Sequence, residues 1–154
     1  QIILHGISMG GATVMMISGE ESLPKNVKCI IEDCGYSSVW DIFRDELKYL
    51  FHLPAFPLMH SASLISKIKA GYSFTEASSI KQLKKATVPM LFIHGSKDNF
   101  VHSEMLDVNY DACASQTKEK LLIEGAGHGQ SYEMNPELYF TTVFDFIEKA
   151  TTAE

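Results

Sequence analysis

Three residues of this chain have the types and surroundings that nucleophilic catalysis requires: Ser8, Asp98 and His128. Ser8 lies in Gly6-Ile7-Ser8-Met9-Gly10, a GxSxG arrangement with a further glycine at 11. An apolar run precedes it and a run of small residues follows. A sharp strand-to-helix turn there strains the serine backbone and lifts its hydroxyl above the strand, beside the positive end of a helix. Small neighbours avoid clashes at such a turn, and Gly10 and Gly11 are expected to let the helix approach the sheet closely. A serine hydroxyl is a weak nucleophile without a base, and the base needs an acid to orient it. Asp98 in "HGSKDNFV" and His128 in "EGAGHGQ" each follow a predicted strand in a tight loop. Together the three residues would perform acyl transfer through a serine ester.

Other residues compete for these roles. Asp33 also follows a predicted strand, and reads either as an alternative acid or as a loop carboxylate capping a turn. His5 and His94 end apolar strands and read as hydrogen-bonded structural histidines. His102 either lines the site or begins a solvated helix. His52 and His60 have no carboxylate or cysteine at metal-ligand spacing, so neither a zinc site nor any other metal is expected. Trp40, Phe43, Phe51, Phe56 and Met59 are candidates for an acyl-binding pocket, with plain core packing as the alternative.

Four β-type runs position these loops, at residues 1–5, 27–32, 88–94 and 120–123. The best three are continuous apolar stretches without alternation, the pattern of strands buried on both faces of a parallel sheet. Helical patterns lie between them. One runs from Ser8 to about Ser18. Another covers residues 38–51, with Val39, Ile42, Phe43, Leu47 and Leu50 at helical spacing. Residues 103–114 place Leu106, Tyr110 and Cys113 on one stripe, with Ser103 as N-cap. The pair Asn135-Pro136 starts a last helix whose core face is expected at Phe140, Val143, Phe144 and Ile147. The alternation implies right-handed βαβ units with helices on both faces of the sheet. More than fifty residues separate Asp33 from Val88. This stretch, about 36–86, includes a helix near residues 63–69 and reads as a cap-like insertion in a single domain of residues 1–150. Residues 151–154 read as a frayed tail.

Composition narrows the function classes. With 45% hydrophobic and 21% charged residues over 154 positions, the chain is a globular domain with a real core. The net charge of −6 and the lack of a dense Lys/Arg cluster argue against nucleic-acid binding. No apolar run approaches the ~20 residues of a membrane span. Cys29, Cys34 and Cys113 are odd in number and form no CxxC, as expected of free thiols in a reducing, cytoplasmic setting.

"GISMGG", "PMLFIHGSKDNFV" and "GAGHGQSY" together resemble the α/β-hydrolase superfamily, in particular bacterial esterases and serine-aminopeptidase-like hydrolases. The likeness runs from residue 1 to about 149, and the order Ser, Asp, His along the chain agrees with it. It implies Ser8 as nucleophile, Asp98 as acid, His128 as base and the Met9 backbone N–H as an oxyanion donor. It further implies an α/β fold reduced to the carboxyl-terminal half, strands five to eight with a helical cap. A first strand open to self-association or to a missing amino-terminal half follows from that reading. The expected activity is a serine hydrolase cleaving a small carboxylic ester or thioester, without cofactor. An aminopeptidase-type hydrolase and a non-catalytic binding module are the alternatives.

Overall fold

A computed structural model describes residues 1–152. Its centre is a four-stranded, wholly parallel sheet in the order β1 (Ile2–Ile7), β2 (Val27–Asp33), β3 (Met90–Gly95), β4 (Lys118–Ile123). The inner strands β2 and β3 carry the continuous apolar runs, and every residue of β3 is buried. Strand β1 is an edge of this sheet instead, with Ile2 and Ile7 exposed.

Side chains alternate between two cores, as the period of two along a strand requires. On one face Ile30, Met90 and Phe92 pack with Met15, Leu83 and Leu106. These come from α1 (Met9–Ile17), α4 (Ser79–Leu83) and α5 (Glu104–Ala112). On the other, Cys29, Ile31, Leu91 and Ile93 pack with Tyr139, Val143 and Phe146 of α7 (Pro136–Thr152).

Three expectations need correction and a fourth a qualification. The buried stripe of α7 is Tyr139, Val143 and Phe146, while Phe140 and Phe144 are exposed with their rings stacked 6.3 Å apart. The helix carries two apolar stripes one residue out of phase, and periodicity alone does not choose between them. Tyr139 decides the matter, because its hydroxyl meets His5 Nε2 at 2.9 Å. Next, α7 continues through Thr152, so the expected tail begins inside it; Ala153 and Glu154 lie outside the described residues. Ser103 stands at the N-cap position of α5 as expected, but its side chain makes no capping hydrogen bond. Finally, the expected insertion is not all cap. Leu83 and Ala86 are fully buried beside Met15, which makes α4 part of the body.

What stands apart is a pair of helices, α2 (Val39–Phe51) and α3 (Leu58–Ala70), the latter starting five residues before the expected point. An antiparallel bridge between Ser38 and Ser78 closes the base of this excursion. Ser38 caps α2, its hydroxyl oxygen accepting from the Asp41 N–H at 3.0 Å while its O–H donates to the Asp41 carboxylate at 2.6 Å.

Candidate active site

Ser8 occupies the single-residue turn between β1 and α1, with φ 56° and ψ −115°. Such a conformation costs a non-glycine residue roughly 1–3 kcal/mol and persists only where its surroundings enforce it. Two restraints are visible. The Ser8 N–H donates to the Asp33 carbonyl at 2.8 Å, and Gly6 lies so close beneath α1 that a Cβ there would stand 2.2 Å from the Gly10 carbonyl oxygen. Gly11 is similarly confined, 2.9 Å from the Asp33 carbonyl oxygen, but a Cβ on Gly10 would meet open space. Close approach therefore rests on Gly6 and Gly11, not on Gly10.

The Ser8 hydroxyl donates to His128 Nε2 at 2.7 Å, and His128 Nδ1 lies 2.8 Å from Asp98 Oδ2. His128 sits in the loop between β4 and α6 (Ser131–Met134), its side chain about a quarter exposed. Asp98, in the loop after β3, is buried. Its Oδ1 accepts the N–H groups of Phe100 and Val101, both at 2.9 Å. Its Oδ2 also lies 3.3 Å from Nε2 of His94, which in turn donates to the Val101 carbonyl at 2.8 Å. Burial alone would raise the Asp98 pKa. The hydrogen bonds from His128, His94 and the Phe100 N–H outweigh it and hold the carboxyl below its ordinary value. The group therefore stays ionised.

Asp33 is placed differently. Its side chain is buried at the end of β2 and accepts from Ser131 Oγ at 3.0 Å, three residues beyond His128. Burial raises its pKa despite the hydrogen bonds from Ser131 and Tyr139. Glu32 next to it is also fully buried, and among the described residues its carboxylate accepts only the Gly35 N–H, at 2.9 Å. Desolvation pushes its pKa well above the usual carboxylate range.

Phe100 covers His128, with ring centroids 4.9 Å apart. The hollow beside His128 measures about 370 Å³ and is lined by Phe100, Lys97 and, from α2, Glu46, Tyr49 and Leu50. Phe43 and Met59 line a neighbouring hollow of about 340 Å³, which shares Glu46 with the first. Phe51 joins that second hollow, whereas Trp40 and Phe56 pack edge-on against His60. None of Trp40, Phe43, Phe51, Phe56 and Met59 lines the hollow beside His128. His102 lines a third hollow with Tyr49 and His52. A larger hollow, about 730 Å³, lies near Ser18, Lys85 and Thr117 at the amino ends of the strands. Ligands of open α/β sheets bind at the carboxyl ends, where Ser8, Asp98 and His128 converge.

Sequence reasoning missed His94 as a partner of Asp98 and α2 as the wall beside His128. It also missed Cys34, which follows β2 with φ 47° and lies fully buried. Its position after a strand end that stops level with Ser8 was the available signal.

Comparison with known proteins agrees with this architecture. YqkD of Bacillus subtilis (strain 168), described as uncharacterized, is 27% identical over 145 residues, spanning 94% of this chain and 47% of that protein. The Pyrococcus furiosus esterase Pf2001 superposes with a TM-score of 0.71 at 19% identity, covering 98% of this chain and 54% of that one. The Pyrococcus horikoshii acylaminoacyl peptidase does so with a TM-score of 0.64 at 19% identity, covering 94% and 24%. The chain spans about half the length of the curated relative it matches. Its fold is that of the α/β-hydrolase superfamily. The sequence matches the prolyl oligopeptidase family (Peptidase_S9) over residues 1–154, and the chain belongs to that family.

Proposed function

We propose that Ser8 is the nucleophile of a serine hydrolase, His128 its general base and Asp98 the acid that orients the base. The observation that carries this reading is the continuous Ser8–His128–Asp98 hydrogen-bond chain, at 2.7 and 2.8 Å. Ser8 Oγ attacks the substrate carbonyl as its proton passes to His128 Nε2. The imidazolium so formed is held by Asp98, and returns the proton to the leaving group. Water then repeats the sequence on the acyl-enzyme and releases the acid. Met9 begins α1, so its N–H has no carbonyl partner within the helix and faces the turn, suited to one side of the oxyanion.

A carboxylic ester or thioester of modest acyl length is the leading substrate class. The hollow beside His128 is small and open, with Tyr49, Leu50 and Phe100 as its apolar walls. The esterase Pf2001 supports this choice. A peptide bond near an amino terminus is the second reading, favoured by the family match and by the acylaminoacyl peptidase fold relative. Labelling by a fluorophosphonate probe tests the common mechanism: modification at Ser8, lost in Ser8→Ala, supports it, and an unmodified Ser8 refutes it. Hydrolysis of p-nitrophenyl butyrate against an acyl-alanine p-nitroanilide separates the two substrate classes.

A further inference from the structure

Cys34 takes no part in the chemistry above, yet it lies against it. Its Sγ, a carboxylate oxygen of Asp98 and a ring nitrogen of His128 all fall within 4.8 Å of one another. The three come from three separate loops, after β2, β3 and β4. Burial pushes the Cys34 thiol up to about 12 despite backbone hydrogen bonds from Gly129 and Ser8 to the sulfur, so the free site holds a neutral thiol whose proton an incoming cation must displace. Among the described residues the other cysteines, Cys29 and Cys113, belong to no such group.

Sulfur, imidazole nitrogen and carboxylate oxygen are the donors that zinc and cadmium take, in tetrahedral sites with bonds of about 2.0–2.3 Å. Those bonds place neighbouring donors roughly 3.3–3.6 Å apart. The cluster reaches that spacing if the Asp98–His128 pair, now at 2.8 Å, opens by about half an ångström and the sulfur closes in. His128 offers the way in, since its side chain is the partly exposed member.

We propose that Cys34, His128 and Asp98 form an inhibitory binding site for zinc or a similar thiophilic divalent cation. The inhibitory consequence rests on the acyl-transfer reading; the binding does not. The ion replaces the thiol proton, which leaves to solvent, and forms metal–sulfur, metal–nitrogen and metal–oxygen bonds. If it binds Nδ1, the ring proton moves to Nε2 and no lone pair remains to accept the Ser8 proton. If it binds Nε2, it takes that lone pair itself. Either way the base is lost, and the ion acts as a reversible blocker of Ser8 rather than as a cofactor.

Two measurements on the purified chain test the site. Cadmium titrated into the wild type should produce a sulfur-to-metal charge-transfer band saturating at one ion per chain, absent from Cys34→Ser. Zinc should slow fluorophosphonate labelling of Ser8 about tenfold or more, chelation should restore it, and Cys34→Ala and Cys34→Ser should resist zinc by a similar factor. Circular dichroism of both variants checks that they are folded, and either one suffices for the comparison. A band that persists in Cys34→Ser, or no band at all, overturns the proposal. So does equal zinc sensitivity in wild type and variants. If Ser8 is unlabelled even without metal, the hydrolase reading fails, and the cadmium band alone decides the binding.

Discussion

His94 Nε2 lies 3.3 Å from Asp98 Oδ2, and both side chains are wholly buried. The same oxygen takes His128 Nδ1 at 2.8 Å, so the acid is held from behind by one histidine while it orients another. Asp33, the rival carboxylate, is engaged by Ser131 instead. Asp98→Asn therefore should lower turnover by ~10⁴, because an amide presents the wrong partner to the imidazole. Asp33→Asn should change turnover by less than about tenfold, since Asn still accepts from Ser131 and burial already disfavours the Asp33 charge. Steady-state ester hydrolysis by the two variants checks this, and a reversed order would move the acid to the end of β2.

His94→Leu should separate stability from chemistry. Removing the ring leaves Asp98 with one partner fewer and orphans the Val101 carbonyl that His94 Nε2 now satisfies at 2.8 Å. Losing a buried hydrogen bond to a charged group costs about 1.5–3 kcal/mol. Urea unfolding should show a loss of that size. An unchanged midpoint would mean that His94 only fills space.

At Ser8 the prediction has two opposite signs. Ser8→Gly should abolish probe labelling and cut turnover by ~10⁴ or more. It should also stabilise the fold by about 1 kcal/mol, because glycine tolerates a φ of 56° that strains serine. Thermal melting of the variant measures the second effect. A lower melting temperature would show that the serine hydroxyl's bond to His128 outweighs the backbone strain.

The glycines and loops around Ser8, Asp98 and His128 were legible because each signal is local. A GxSxG turn, an Asp four residues beyond a strand's end and a glycine-flanked His can all be read within ten residues. The two inner strands were legible for the same reason, as unbroken apolar runs. What escaped depends on contacts between distant segments. Cys34 meets Asp98 and His128 only because three parallel strands end at the same level. The α7 face was misread because Phe140 and Phe144 mimic a core stripe, and the arbiter was Tyr139 reaching across to His5, 134 residues away in sequence. The cap helix α2 was found, but the side it turns toward His128 was not. Glu46, Tyr49 and Leu50 face that hollow, and Phe43 lies over the next one.

The last prediction concerns Glu32, beneath α1 and beside the Ser8 turn. It pairs with Gly6 in the β1–β2 register, and its Oε2 would lie 3.3 Å from a Cβ on Gly11. Among the described residues its Oε1 has no hydrogen-bond partner, and desolvation raises its pKa well above the ordinary carboxylate range. The folded chain therefore holds a proton on Glu32 at pH values where the unfolded chain has released it. By linkage, stability falls as pH rises from the unfolded pKa toward the folded one. Well below the unfolded pKa, at about pH 3 and lower, both states are protonated and Glu32 contributes no pH dependence. Glu32→Gln copies the neutral acid and cannot titrate. The difference in unfolding free energy, Glu32→Gln minus wild type, should therefore grow more favourable to the variant as pH rises above the unfolded pKa. Because both proteins share every other titrating group, the subtraction isolates Glu32. Urea melts of the pair at four pH values measure it. A flat difference would mean that Glu32 is ionised in the fold, with its charge met by a partner other than the Gly35 N–H.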